Sequence, residues 1–133
     1  MSKFEVGQEV TVERVFSKED VEKFAALSGD DNPLHVDVEY ARASRFGAPV
    51  VHGILVAGLV SKAIGTQLPG IGSIYLEQNL RFKRPVYIGD KVQAHVIIEE
   101  IDEKKHIYTL RTNVYNQNDE CVVAGTAKVL YEG

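Results

Sequence analysis

Asp30 to His35 bring a carboxylate, an amide and an imidazole into six consecutive positions, in the run Gly29-Asp30-Asp31-Asn32-Pro33-Leu34-His35, with Val36 and Asp37 directly after it. An acid, an imidazole and a hydrogen-bonding amide held around one point can bind a water and move its protons. Pro33 fixes its own φ and drives Asn32 toward extended geometry, so the run is stiffer than its polar composition implies. The same residues also allow a plainer reading. Asp and Asn side chains often close local turns on nearby backbone N–H groups, and His35 would then be incidental. Spacing alone leaves both readings open.

The elements around this run would hold it from both sides. Upstream, Glu9 to Phe16 alternates polar and apolar residues, with Val10, Val12 and Val15-Phe16 on the apolar side, and predicts a first strand. Ser17 is placed to cap a helix with acidic Glu19 and Asp20 in its first turn. Val21, Phe24, Ala25 and Leu27 give that helix an apolar stripe, and Gly29 is the expected left-handed stop, so the polar run begins where the helix ends. Downstream, Asp37 can cap a short helix from Val38 to Ser44. The stretch from Gly29 to Pro49 otherwise reads as irregular, and Val36, Tyr40 and Phe46 predict that it packs as a lid. Val50 to Thr66 reads as one central helix, apolar nearly all round, with Lys62 its only full charge. Gly53, Ala57 and Ser61 recur every four residues and form a face of small side chains open to close approach. Gly53 falls in the first turn, where backbone N–H groups have no partner within the helix. It can serve tight packing, or its N–H can face an anion.

Four strands follow: Ser73 to Lys83, Lys91 to Ile101, His106 to Tyr115 and Cys121 to Tyr131. In the first of them Ile74, Leu76, Leu80 and Phe82 are expected to share one face. Gly89-Asp90, Asp102 to Lys105 and Asn116 to Asp119 are turn material, so neighbouring strands are expected to pair antiparallel. One long helix against such a sheet is an α+β architecture in a single domain spanning residues 1–133.

The run Phe24-Ala25-Ala26-Leu27-Ser28-Gly29-Asp30-Asp31-Asn32-Pro33-Leu34-His35-Val36-Asp37 resembles the signature of the (R)-specific enoyl-CoA hydratases, the hydratase 2 or MaoC-like family, with no departure inside the motif. The resemblance continues through Val51-His52-Gly53 and Arg84-Pro85-Val86-Tyr87-Ile88-Gly89-Asp90. It implies the hot dog fold, a curved sheet wrapped round a central helix, and a homodimer. It implies that Asp30 and His35 share the proton work, that Asn32 fixes the water or the imidazole, and that the Gly53 N–H forms an oxyanion hole. Asp31 is the variable position. It also gives Ser61 a second reading beside a hydrogen bond to its own helix, that of supporting Asp30. Ile64 and Val129 are expected to close the acyl end of the pocket. His52, at the helix start, is placed to bind a backbone carbonyl or a ligand.

Composition narrows the remaining classes. The chain has 133 residues, 44% hydrophobic and 26% charged, with a formal net charge of −4 and therefore no overall basic field for nucleic acid. Its single Cys121 allows no internal disulfide and fits a reducing, cytoplasmic setting. No stretch has the length of a membrane span, and the N-terminus lacks the apolar core of a signal peptide. His95 and His106 read as solvated, and no His/Cys/Asp spacing resembles a zinc or iron site. Arg81, Lys83 and Arg84 form a basic cluster that reads as a solvated face or as a contact for the phosphates of coenzyme A. The expected activity is reversible addition of water to a trans-2-enoyl-CoA to give the (3R)-hydroxyacyl-CoA, with no metal, nicotinamide or flavin. The alternatives are a (3R)-hydroxyacyl-ACP dehydratase, a hot dog thioesterase and a non-catalytic acyl-binding module.

Overall fold

A computed structural model describes residues 3–133. Among these residues five strands form one antiparallel sheet: β1 (Glu9–Val15), β2 (Ile74–Phe82), β3 (Lys91–Asp102), β4 (Ile107–Tyr115) and β5 (Cys121–Leu130). Their order across the sheet is β1-β3-β4-β5-β2. The helices are α1 (Lys18–Ser28), α2 (Pro33–Val36), α3 (Val38–Arg42) and α4 (Gly53–Thr66). This is the α+β arrangement expected from the sequence. No helix among the described residues is long and apolar enough to cross a membrane.

The core lies between α4 and the sheet. Val56, Leu59, Val60, Ala63 and Ile64 form the inward face of the helix. They meet the alternate residues of the central strands, among them Val92, Val96, Ile98, Leu110, Val114 and Val129, all fully buried. Alternation is strict along β4 and along β3 as far as Ile98, where a register shift ends it.

Three features depart from the sequence reading. First, α4 begins at Gly53, not Val50: the Val51 N–H donates to the Val86 carbonyl at 2.7 Å and Val50 bridges to Tyr87, so this stretch is an extended tie. The β-branched pair Val50-Val51 favours that geometry. Second, β2 does not pair with β3. The link from Lys83 to Asp90 carries the chain across the sheet, and β2 pairs with β5 at the far edge. Third, a bulge between Tyr75 and Glu77 resets the pleat, so Ile74 and Leu76 do not share a face with Leu80 and Phe82. Register pairs Tyr75, Gln78, Leu80 and Phe82 with the inward-facing Val129, Ala127, Gly125 and Val123. Gln78 is accommodated there because its amide donates to the buried hydroxyl of Thr112 at 2.9 Å. Most of β2 is exposed, Ile74, Leu76 and Phe82 included.

The stretch before α4 holds the expected short helix, α3, and one helix more, α2. It is only partly a packed lid. Ala41 is fully buried and the Phe46 carbonyl accepts from the Tyr87 hydroxyl at 2.9 Å, but Val36 and Tyr40 face solvent. Short helices separated by caps turn those two side chains outward.

Candidate active site

The polar run is built outward from the end of α1. Ser17 caps that helix in a full capping box: its hydroxyl accepts from Asp20 N–H, and the Asp20 carboxylate accepts from Ser17 N–H. These backbone contacts and the Arg14 guanidinium at 3.0 Å hold the Asp20 carboxyl below its ordinary range. At the other end Gly29 adopts φ 81°, and its N–H closes on Ala25 O at 2.9 Å. Ser28 Oγ then works in both directions, donating to Phe24 O at 2.7 Å and accepting from Asp30 N–H at 3.1 Å. The backbone of Asp30 is thus tied to the last turn of the helix.

Two successive side-chain turns lead from Asp30 to His35. Asp30 Oδ1 accepts from Asn32 N–H at 3.3 Å, and Asn32 Oδ1 accepts from Leu34 N–H at 3.0 Å, which makes Asn32 the cap of α2 with Pro33 inside its first turn. The local turns read from the sequence are therefore present, and they fix the positions of the residues that the resemblance assigns to the site. Asn32 starts the short helix that carries His35. Asp37 ends α2 and caps α3, accepting from Tyr40 N–H at 3.1 Å.

His35 Nδ1 lies 2.7 Å from the carbonyl oxygen of Val50. A carbonyl only accepts, so Nδ1 carries the hydrogen and Nε2 keeps a free lone pair. His52 makes the second tie: its Nε2 is 2.8 Å from the Asp30 carbonyl, and its ring stacks on His35 with centroids 3.8 Å apart and planes at 25°. Phe24 meets His52 edge-on at 4.7 Å. Donor atoms of Asp30, His35 and His52 all lie within 4.8 Å of one another. That proximity was not visible in their spacing. His35 Nδ1 and His52 Nε2 are each already committed to a backbone carbonyl, which leaves one open nitrogen on each ring.

A cavity of about 500 Å³ opens beside this cluster, lined by His35, Gly53, Phe82 and Val123 among others. Asp30 is exposed and stands outside that lining. Gly53 is the first residue of α4. The first helical donor to close is Val56 N–H, on His52 O, which leaves the Gly53 N–H without an acceptor inside the helix. The Phe82 ring lies directly against Gly53. Exposed Arg45, Lys83 and Arg84 line the same cavity. Arg81 does not, because strand alternation turns it to the other face of the sheet, and Arg45, which the sequence reading passed over, joins from the stretch after α3. An Arg-Phe pair just before the proline that precedes α4 was its only signal.

The remaining expected site residues lie elsewhere. Ser61 is exposed on the outward side of α4, with no hydrogen bond to Asp30 or to its own helix among the described residues. Ile64 and Val129 are buried in the main core and do not line the cavity. Ile64 points inward because it shares the helix face of Val56, Val60 and Ala63, and Val129 because it sits on the inward register of β5.

Residues 2–119 match the MaoC like domain model. The chain belongs to the MaoC-like family. It is 47% identical to an (R)-specific enoyl-CoA hydratase of Aeromonas caviae over 94% of this chain and 93% of that protein. It is 38% identical to a mitochondrial 3-hydroxyacyl-[acyl-carrier-protein] dehydratase of Arabidopsis thaliana over 89% of this chain and 71% of that one. Among solved structures, the (R)-hydratase from A. caviae involved in PHA biosynthesis superposes with a TM-score of 0.97, covering 99% of this chain and all of that one at 45% identity. This agreement extends over the whole MaoC-like domain, the Asp30–His35 run included, and carries the fold assigned above.

Proposed function

We propose that this MaoC-like chain is an (R)-specific enoyl-CoA hydratase that adds water reversibly across the 2,3 double bond of a trans-2-enoyl-CoA. The observation that carries the reading is His35: its Nδ1–H is fixed on the Val50 carbonyl, which leaves Nε2 open, and a nitrogen of its ring lies within 4.8 Å of an Asp30 carboxylate oxygen. That separation suits one water bridging carboxylate and imidazole. The pair takes a proton from the water as its oxygen adds to C3, and returns a proton to C2, so that the elements of water are added with no net change at the protein. Negative charge gathers on the thioester oxygen during addition. The uncommitted Gly53 N–H at the positive end of α4 supports an oxyanion role there. The 47% identity to an (R)-specific hydratase supports the substrate class and the stereochemistry.

Arg45, Lys83 and Arg84 on the cavity wall favour a substrate that carries phosphates, as coenzyme A does. Arg84 is partly engaged by Glu120 at 3.3 Å, so Arg45 and Lys83 are the main candidates. A second copy of the chain covers the outer edge of β2 together with Ile54 of α4, where Ile74, Leu76 and Phe82 would otherwise leave apolar surface and unpaired backbone in water. One unpaired thiol, Cys121, suits a reducing cytoplasm.

The test is incubation with crotonyl-CoA. Loss of enoyl-thioester absorbance without release of free thiol is expected, with a product that a 3R-specific dehydrogenase consumes. Free thiol would identify a thioesterase. Turnover only of crotonyl-ACP would move the assignment to the carrier-protein dehydratases, and consumption by a 3S-specific dehydrogenase would overturn it.

A further inference from the structure

His52 is 2% exposed and sits between the two residues to which the proton chemistry is given. Its Nε2 must carry the hydrogen, because the Asp30 oxygen it meets at 2.8 Å is a carbonyl. Its Nδ1 is then a buried acceptor, and no group among the described residues donates to it. A stranded polar atom inside a packed site is unfavourable, and natural structures hold few of them. Packing alone does not account for it. Phenylalanine has a similar flat ring, could stack on His35 and meet Phe24 edge-on, and would strand no nitrogen. What imidazole provides and phenylalanine does not is a flat face together with an in-plane donor.

We propose that His52 is a positioning residue for water addition, acting on Asp30 and His35 at once. The Nε2–H pins the backbone of Asp30, whose other tie is the Ser28 hydroxyl at 3.1 Å. The face of the ring, 3.8 Å from His35, stops that imidazole from turning about its Val50 hydrogen bond. It also places a π surface against His35 when His35 holds the proton taken from water. Because His52 immediately precedes Gly53, one residue sets the carboxylate, the imidazole and the first free N–H of α4 relative to one another. Its stacked geometry and its bond to a carbonyl give it no direct part in proton transfer. This inference rests on the assignment of Asp30 and His35 as the proton-transfer pair.

The experiment compares wild type with His52→Ala, His52→Gln and His52→Phe, measuring kcat and KM for crotonyl-CoA and thermal stability. In His52→Ala a fall in kcat of about 10²-fold is expected with KM nearly unchanged, the scale of a small misplacement of reacting groups. Glutamine restores an amide donor to the Asp30 carbonyl, and phenylalanine restores the face against His35, so each should recover part of the loss and neither all of it. The phenylalanine variant provides the decisive contrast. Without a stranded nitrogen it should be at least as stable as wild type and still turn over at least about 10-fold more slowly, a split that a purely structural role would not produce. Wild-type kcat in His52→Phe overturns the proposal, as does a rise in KM with kcat intact in any variant. If His52→Ala does not fold, the other two decide. Inactivity of wild type in the same assay would instead count against the hydratase reading.

Discussion

Gly53→Ala separates two reasons for having glycine at the start of α4. A Cβ built at this position would lie 2.5 Å from Cδ1 and 2.6 Å from Cε1 of Phe82. Carbon pairs rest near 3.5–4.0 Å, so the ring would have to withdraw by about 1 Å. Phe82 is 54% exposed in the single chain but lies under the proposed partner copy, so the stability cost should fall within the roughly 1–3 kcal/mol typical of overpacking. Catalysis should suffer far more. The new methyl and the displaced ring both enter the cavity beside the Gly53 N–H, and loss of one oxyanion donor costs on the order of 10²–10³ in kcat, roughly 3–4 kcal/mol. The assay is a double-mutant cycle of Gly53→Ala and Phe82→Ala, with kcat and KM for crotonyl-CoA and a melting curve for each protein. Phe82→Ala alone should be mild, and the double variant should remain as slow as Gly53→Ala. If removing the ring restores the double variant to the rate of Phe82→Ala alone, the glycine serves only to seat Phe82, and the oxyanion argument is refuted.

Asp30→Asn and His35→Ala should each lower kcat by about 10²-fold or more, with the double variant little worse than the worse single one and Asp31→Asn far milder; steady-state rates that multiply in the double variant would contradict a shared proton system. Arg45→Glu combined with Lys83→Glu should raise KM for crotonyl-CoA at least about 10-fold and leave crotonyl-pantetheine unaffected, and the CoA effect should fade with added salt; equal damage to both substrates would rule out phosphate recognition. Light scattering at micromolar concentration should give a dimer for wild type and a monomer for Leu76→Arg, which places a charge in the apolar edge of β2. Because its capping contacts lower the Asp20 carboxyl from 3.8, its contribution is complete above that pH and disappears as pH falls through the lowered value; Asp20→Asn should cost about 0.5–1 kcal/mol near neutrality, and the gap between the two melting curves should close as the pH falls below 3.8.

What could be read from the sequence divides along a physical line. The capping box at Ser17, the left-handed stop at Gly29 and the cap at Asp37 are decided within a few residues of chain, and each forms as its local chemistry dictates. The apolar alternation of β3, β4 and β5 is equally local, and their hairpin turns lie beside them. β2 was misread because a bulge at Leu76 leaves no mark on composition, and because its partner is chosen at the far edge of the sheet, by a link whose path the residues of β2 do not encode. Ile64 and Val129 were carried from the resemblance alone, and the core in which they lie draws on every strand of the sheet, β2 only through the partly buried Leu80. The identities of Asp30 and His35 were legible, but the state of His35 was not. Its tautomer is set by a backbone carbonyl fifteen positions away, and any residue at position 50 would supply the same oxygen.

That carbonyl belongs to a three-residue segment with more consequence than its side chains indicate. Val50 takes the hydrogen of His35 on its carbonyl and gives its own N–H to Leu34 O at 3.2 Å, so α2 is clamped to it from two directions. Val51 N–H reaches the Val86 carbonyl in the link that leaves the cavity wall at Lys83 and Arg84. His52 holds Asp30 and starts α4. A helix over Val50 to His52 would have turned these groups inward on itself and left His35 free to rotate. The extended conformation of three residues therefore joins the proposed acid–base pair, the proposed phosphate contacts and the proposed oxyanion donor. It also explains why the central helix begins at Gly53, since a helix one turn longer would dismantle the arrangement it now completes.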